Sequence, residues 1–255
     1  MVFKPLIVVI SFLTVIPTAR NNLQSAIDIK YTATNMYLFP LVGALIGTLA
    51  GSLGYGLSTL FEPQLTSLLI ILFITVITGL HHTDALADFG DGLMAKGGRE
   101  SKSRAMHDHS IGSAGATALI LYFIGIFVAL SGIRDGLILL TFLVISEVIA
   151  KYMMVVQAYF GKSAWDGLSS PFVSAMKSRS KFIVSTIVTL LLVYIAGGYD
   201  GFLTLIIAFV VTTVILYISR VSFGGISGDV LGASNEVVRL TCLFALSSVS
   251  GLISL

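Results

Sequence analysis

The chain has 255 residues, of which 56% are hydrophobic and only 11% charged, with a formal net charge of +2. A mean hydropathy of +0.97 excludes an ordinary water-soluble domain, where about a quarter of residues carry charge. No basic cluster of the kind that binds nucleic acid occurs, and the single cysteine, Cys242, excludes an intrachain disulfide and reads as a small buried hydrophobe.

In chain order, Lys4 and the run LIVVISFLTVI look at first like a secretory leader, but Pro17-Thr18-Ala19-Arg20 is a poor small-x-small cleavage site. About 12 apolar residues are few for a crossing, so this segment is expected to remain as a short interfacial or packed helix. Seven apolar stretches follow, at roughly 36–60, 64–80, 113–131, 136–157, 181–197, 201–219 and 238–255. Most approach the length of about 20 residues that crosses a hydrocarbon core of about 30 Å. The short alternating strands of a transmembrane barrel are not seen. The expected fold is therefore all-α: a polytopic membrane helical bundle of about seven spans embedded in the lipid bilayer, with residues 1–255 forming a single domain. A homo-oligomer is left open. Gly43, Gly47 and Gly51 put a small residue at every fourth position of the first stretch, which predicts close approach of a neighbouring helix.

Basic residues orient such a chain, because cytoplasmic loops carry the excess of Lys and Arg. Arg20 and Lys30 precede the first stretch, Lys96, Arg99, Lys102 and Arg104 follow the second, and Lys162, Lys177, Arg179 and Lys181 surround the loop after the fourth. Arg220 and Arg239 flank the loop before the last stretch, and Arg134 alone breaks the alternation. The expectation is a multi-pass protein of the cell (inner) membrane with a cytoplasmic N-terminus. The polar segments 81–112, 158–180 and 220–237 then share the cytoplasmic face.

The first of these segments opens with HHTDALADFGDG, residues 81–92. Asp84, Asp88 and Asp91 recur at spacings of four and three, which places three carboxylates on one face of a helix continuing out of the second stretch. Ala85, Leu86 and Phe89 then face packing partners or lipid. Crowded carboxylates repel one another, and near a membrane their solvation is poor. A hard divalent cation relieves both effects, since Mg²⁺ takes oxygen ligands and pairs carboxylates with substrate phosphates. A solvated helix end is the plainer alternative. Adjacent His81 and His82 point in different directions on a helix and have no partner at zinc-ligand spacing, so a hydrogen-bonding or interfacial role suits them better. Gly90, Gly92, Gly97 and Gly98 either let backbone approach a bulky ligand or end the helix. Beyond them, FGGISGDVLGASNEVVR at 223–239 carries Asp229, Asn235 and Glu236 and reads as a Gly- and Ser-rich loop with backbone N–H groups for phosphate. In AWDGLSSPF, 164–172, Trp165 reads as an interfacial anchor.

Five blocks carry a family resemblance. HTDALADFGDGLMA resembles the H-x-D-G-x-x-D-x-x-D-G signature of the cobalamin-5′-phosphate synthases, also called adenosylcobinamide-GDP ribazoletransferases. SFLTVIPTAR, FPLVGALIGTLAG, MHDHSIGSAG and GGISGDVLGASNE resemble further blocks of that family, in the family's order. The chain departs at Ala85, where the family usually has Gly, and at Asp108-His109-Ser110-Ile111-Gly112, where many members have D-S-R-(I/L)-G. The resemblance implies that adenosylcobinamide-GDP is joined to α-ribazole or its 5′-phosphate, with GMP released and Mg²⁺ required. It implies Asp84, Asp88 and Asp91 as the metal set, with Asp91 counted among the catalytic groups. His82, Gly92, Gly112, Asp229 and Glu236 become candidate substrate contacts. A general base is needed for the attacking ribose hydroxyl, and Asp108, where the third stretch begins, is the first candidate.

Two other readings compete. Asp88-x-x-Asp91-Gly92-x-x-Ala95-Lys96 resembles half of the CDP-alcohol phosphotransferase motif, but AMHDHSIGS lacks the paired aspartates of the other half. A transporter or cation channel would also hold intramembrane acids, although its site would sit near the membrane midplane on broken helices.

Overall fold

Inside a bilayer every backbone N–H and C=O must be satisfied within the protein, so an apolar chain of this kind is driven into helix. The computed structural model describes residues 4–16, 26–108, 110–167 and 169–253. Its helices are α1 (Lys4–Leu13), α2 (Ala26–Thr34), α3 (Phe39–Ser58, preceded by a 3₁₀ turn at Met36–Leu38), α4 (Pro63–Thr78), α5 (His81–Met94) and α6 (Arg99–Met106). They continue as α7 (Ser113–Ser131), α8 (Gly136–Phe160), α9 (Ser170–Met176), α10 (Arg179–Ser222) and α11 (Gly228–Ile253). Among the described residues no strand forms, and one parallel bridge pairs Ser163 with Ile226.

Five helices are long and apolar enough to cross a membrane, or six if the bent pair α4–α5 is taken as one crossing. The chain is a multi-pass membrane protein, and two breaks account for the difference between this count of helices and the seven expected stretches. First, α4 has only 16 residues, about 24 Å at 1.5 Å per residue, and it stops where Gly79 and Leu80 both take left-handed backbone (φ 68° and 64°). The chain leaves that corner at 91°. The aspartate helix therefore does not continue out of the second apolar stretch. It packs instead beside the first turns of α7 and α11, with Gly90 against Ala118 and Ala85 against Gly232. Second, the stretches 181–197 and 201–219 run on as one 44-residue element, α10, but are two helices meeting at a break at Gly198 (φ 50°, ψ −127°); at about 1.5 Å per residue the whole is about 66 Å, so each half is long enough for its own crossing. The turn is tight enough that a Cβ on Gly201 would sit 2.9 Å from the Val193 carbonyl oxygen.

The core is organised around α8, whose residues 145–158 are all buried. Its start is fixed by Asp135, which accepts hydrogen bonds from the N–H groups of Leu137 (2.7 Å) and Ile138 (3.1 Å), a cap that contributes about 1 kcal/mol. The glycine stripe of α3 lies directly on the α8 backbone. A Cβ at Gly43 would meet the Glu147 carbonyl oxygen at 2.5 Å, at Gly47 the Val144 Cα at 2.6 Å, and at Gly51 the Leu140 Cα at 2.8 Å. Between the two alternatives for the N-terminal segment, α1 is packed: Val9 and Leu13 are fully buried. Apolar side chains such as Leu191, Ile195, Ile206 and Val210 stay exposed along α10, a surface suited to lipid.

The last helix corrects a boundary. The expected loop at 223–239 is mostly helix, because α11 begins at Gly228 rather than near 238. Ser227 holds that start through a hydrogen bond from the Val230 N–H to its hydroxyl (3.2 Å). The small residues that suggested a loop serve instead to bring α11 against α5: a Cβ at Gly232 would stand 2.5 Å from that of Ala85.

Candidate active site

Contacts gather the three polar segments at one end of the bundle. Arg99 donates to the carbonyls of Val221 (3.4 Å) and Arg220 (3.3 Å). The N–H of Ala164 donates to Ile226 O (2.9 Å) and that of Ile226 to Lys162 O (2.8 Å). The Trp165 ring, expected as an interfacial anchor, meets His107 edge-on at 5.2 Å.

Within this end, α5 presents two faces. Ala85, Leu86, Ala87 and Phe89 are buried, while Asp84 is exposed and Asp88 and Asp91 are half-buried, so the three carboxylates share the open face. Partial burial, then the charges of Asp84, Asp229 and Asp91, push Asp88 up from 3.8 to about 6. Asp229, in the first turn of α11, thus belongs to the same electrostatic neighbourhood, where its carboxylate accepts from the Ser227 hydroxyl (3.3 Å). Asp91 has a definite structural task. Its two oxygens accept from the N–H groups of Gly112 (2.7 Å) and Gly115 (2.8 Å), at the start of α7, where an anion also complements the helix dipole. A side chain at Gly112 or Gly115 would overlap that carboxylate.

These donors suit a hard cation, being all carboxylate oxygen. Among the described residues, however, no three His, Cys, Asp or Glu groups converge as the ligands of one ion. The arrangement therefore fits an ion held by one or two carboxylates and completed by substrate phosphates, the usual mode of Mg²⁺, rather than a closed protein cage.

Beside this face a cavity of about 520 Å³ opens between α1, α2, α3, α5, α8, α9 and α11, with His81, His82 and Asp229 on its wall. His82 is 8% exposed, and its Nδ1 lies 3.4 Å from the Asn235 amide. Burial, then the charges of Lys151 and Arg239, hold its imidazole well below the ordinary value, so it is neutral and its Nδ1 accepts from the amide.

The family model described as Cobalamin-5-phosphate synthase matches residues 5–247. The chain belongs to the cobalamin-5-phosphate synthase family. A protein of Methanococcoides burtonii named adenosylcobinamide-GDP ribazoletransferase is 34% identical over 220 residues, covering 83% of this chain and 81% of its own. Relatives with the same name from Methanocella arvoryzae (31%, covering 94% of each chain) and Clostridium novyi (30%, covering 97% of this chain and 98% of its own) extend the similarity over nearly the whole length. No solved structure matches significantly.

Within this member of the cobalamin-5-phosphate synthase family, not every expected site residue reaches open space. Gly92 packs on α6, where a Cβ would lie 3.0 Å from that of Met106 and 3.1 Å from the Lys102 carbonyl oxygen. Gly112 uses its N–H on Asp91. Asp108 is exposed, with one oxygen accepting from the N–H (3.0 Å) and hydroxyl (2.5 Å) of Ser110. His109 lies outside the described residues. Glu236 is 1% exposed and both of its oxygens are engaged inside the bundle, so in this structure it faces the interior rather than the cavity.

That interior is the feature the sequence reading missed. Glu147 and Lys151 of α8, Tyr122 of α7, and Asn235, Glu236 and Arg239 of α11 form one buried network. Lys151 donates to Asn235 Oδ1 (2.7 Å) and Glu147 (3.4 Å), and the Asn235 amide to Glu236 Oε1 (2.9 Å). Arg239 pairs with Glu147, Glu236 and the Tyr122 hydroxyl, which itself donates to Glu236. Two acids face two bases, so the charges balance. Arg239 was counted above among the basic residues that flank a cytoplasmic loop, but it lies within α11 with 1% exposure. The available signal was the Glu147–Lys151 pair, four residues apart in an otherwise apolar stretch, since ionisable residues inside a span rarely lack a function.

Proposed function

We propose that the chain joins adenosylcobinamide-GDP to α-ribazole or its 5′-phosphate and releases GMP. The observation that carries this reading is family membership across residues 5–247. In this reaction a ribose hydroxyl oxygen bonds to a diphosphate phosphorus, the bond from that phosphorus to the departing GMP breaks, and the hydroxyl proton passes to a base. A polyanionic donor approaches the carboxylate face of α5 only if the negative charge there is offset. Asp84 and Asp88, with Asp91 behind them, would hold Mg²⁺, which supplies charge neutralisation at the diphosphate and the leaving GMP. Asp91 also ties α5 to the start of α7 and so fixes the orientation of that face. For the proton, Asp229 is favoured over Asp108, because Asp229 lines the cavity beside the aspartates. The site belongs on the cytoplasmic face of the cell membrane, as the distribution of Lys and Arg supports.

The test is GMP release by the purified, detergent-solubilised chain, given adenosylcobinamide-GDP and α-ribazole phosphate with and without Mg²⁺, and a CDP-alcohol pair in parallel. GMP formed only with both cobamide precursors and the metal is the expected result. CMP from the CDP-alcohol pair alone would overturn the assignment, and full activity of Asp88→Ala would sink the metal site.

A further inference from the structure

The 520 Å³ cavity beside α5 has a chemistry of its own. Phe12, Phe39 and Phe172 form an aromatic wall with ring centroids 5.3–6.3 Å apart, and Met36, Met154 and Leu231 extend its apolar lining. The polar part of the lining comes from Ser11, Thr32, Ser169, His81, His82 and Asp229. The wall includes Ala85, next to Asp84 on α5, together with Asp229, whose charge also acts on Asp88, so the cavity borders the aspartate helix.

We infer that this cavity is the acceptor pocket and that it encloses the flat, apolar base of the ribazole nucleoside, with the ribose turned toward Asp229. This assignment rests on the transferase reading and deepens it. Three observations select the occupant. The volume lies within the range of about 300–1,000 Å³ typical of pockets for drug-sized ligands, which admits a nucleoside and excludes the corrin ring with its substituents. Guanine, the other candidate base, carries donors and acceptors around most of its edge, and those facing the Phe and Met side chains would be left unpaired. A substituted benzimidazole has a large π-face and few such groups, and offset or edge-on contacts with Phe rings favour it. With the base seated there, the ribose hydroxyl reaches the boundary between Asp229 and the aspartate face. Its proton passes to the Asp229 carboxylate as its oxygen bonds to phosphorus and GMP departs.

Ser11 of α1 lines the cavity and is half-buried, whereas the native thiol of Cys242 is fully buried. Ser11→Cys therefore installs a reporter thiol over a silent background. The rate of its modification by a small methanethiosulfonate reagent is measured in the full-length, detergent-solubilised chain. α-Ribazole is expected to slow modification at least tenfold, and GMP to leave the rate unchanged. A companion variant, Ser11→Trp, fills the cavity and is expected to raise KM for α-ribazole about tenfold without changing KM for adenosylcobinamide-GDP. Equal protection by GMP and α-ribazole would overturn the proposal. So would protection by added phospholipid alone, which would assign the cavity to acyl chains. If wild type releases GMP while α-ribazole leaves the Ser11→Cys rate unchanged, the pocket assignment fails and the transferase reading stands. If wild type releases none and α-ribazole still protects, the transferase reading fails, and the cavity keeps its nucleoside but loses its role as acceptor pocket.

Discussion

Replacing Asp91 with alanine separates two tasks that one carboxylate performs. Its oxygens hold the N–H groups of Gly112 and Gly115 at 2.7 and 2.8 Å, in a half-buried position. A hydrogen bond to a charged group contributes about 1.5–3 kcal/mol net, and the helix dipole adds about 0.3–1 kcal/mol. The two bonds share one anchor and are not independent, so Asp91→Ala is expected to cost about 3 kcal/mol. For a domain of this size that corresponds to a fall of about 6–12 °C in Tm. The assay is thermal unfolding of the detergent-solubilised chain in EDTA, which removes any metal contribution. Asp91→Asn, which retains one carbonyl acceptor, should lose roughly half as much. Asp84→Asn, at an exposed position on the same helix face, should lose almost nothing. An unchanged Tm for Asp91→Ala would refute the capping argument and leave the carboxylate wholly to the chemistry.

Other outcomes follow from neighbouring contacts. The Asp88 carboxyl is pushed up to about 6, above its value of about 4 in an unfolded chain; the folded state therefore binds the extra proton between these values, and stability falls as pH rises through that window. In EDTA, Asp88→Asn should raise Tm at pH 8 and lose that advantage by pH 4, as a pH series of melting curves would show. Lys151→Met removes one base from a sealed network and leaves Glu147 and Asn235 short of a partner, so a loss of about 3–5 kcal/mol is expected, read as a fall in Tm or in monodisperse yield. Gly47→Ala forces α3 away from α8, since the new methyl would stand 2.6 Å from the Val144 Cα, whereas Gly56→Ala meets nothing within 4 Å. Size-exclusion profiles should show loss of folded protein for the first and a neutral or slightly stabilising change for the second.

Periodicity and composition made the crossing segments legible, because an apolar run of about 20 residues has few alternatives in a bilayer. The glycine stripe of α3 was legible for a similar reason: a small residue at every fourth position has a direct geometric meaning. The corner at Gly79–Leu80 was not. A left-handed Leu is disfavoured, and no local pattern announces a 91° turn, so helix periodicity alone carried α5 straight on. The start of α11 was misread because Gly, Ser and Asn mark loops in general, whereas here Gly232 was needed for contact with Ala85. The family blocks identified which segments matter; they could not distinguish a residue facing substrate from one, like Glu236, facing the interior.

The interior network and the aspartate site are parts of one construction. Asp229, Gly232, Glu236 and Arg239 are spaced by three, four and three residues, so they form a single stripe along α11. At one end of the stripe Asp229 joins the carboxylates of α5, and Gly232 sits against Ala85. Further along, Glu236 and Arg239 lock into Glu147 and Tyr122, and Asn235 beside them accepts from Lys151. Rotation of α11 about its axis would have to break that locked end, leaving charges buried without partners, before Asp229 could turn away from Asp88. On this account the buried charges are tolerated because they set the rotation of a helix whose first turn faces the chemistry. A variant such as Lys151→Met should then impair transfer even at temperatures where the chain remains folded.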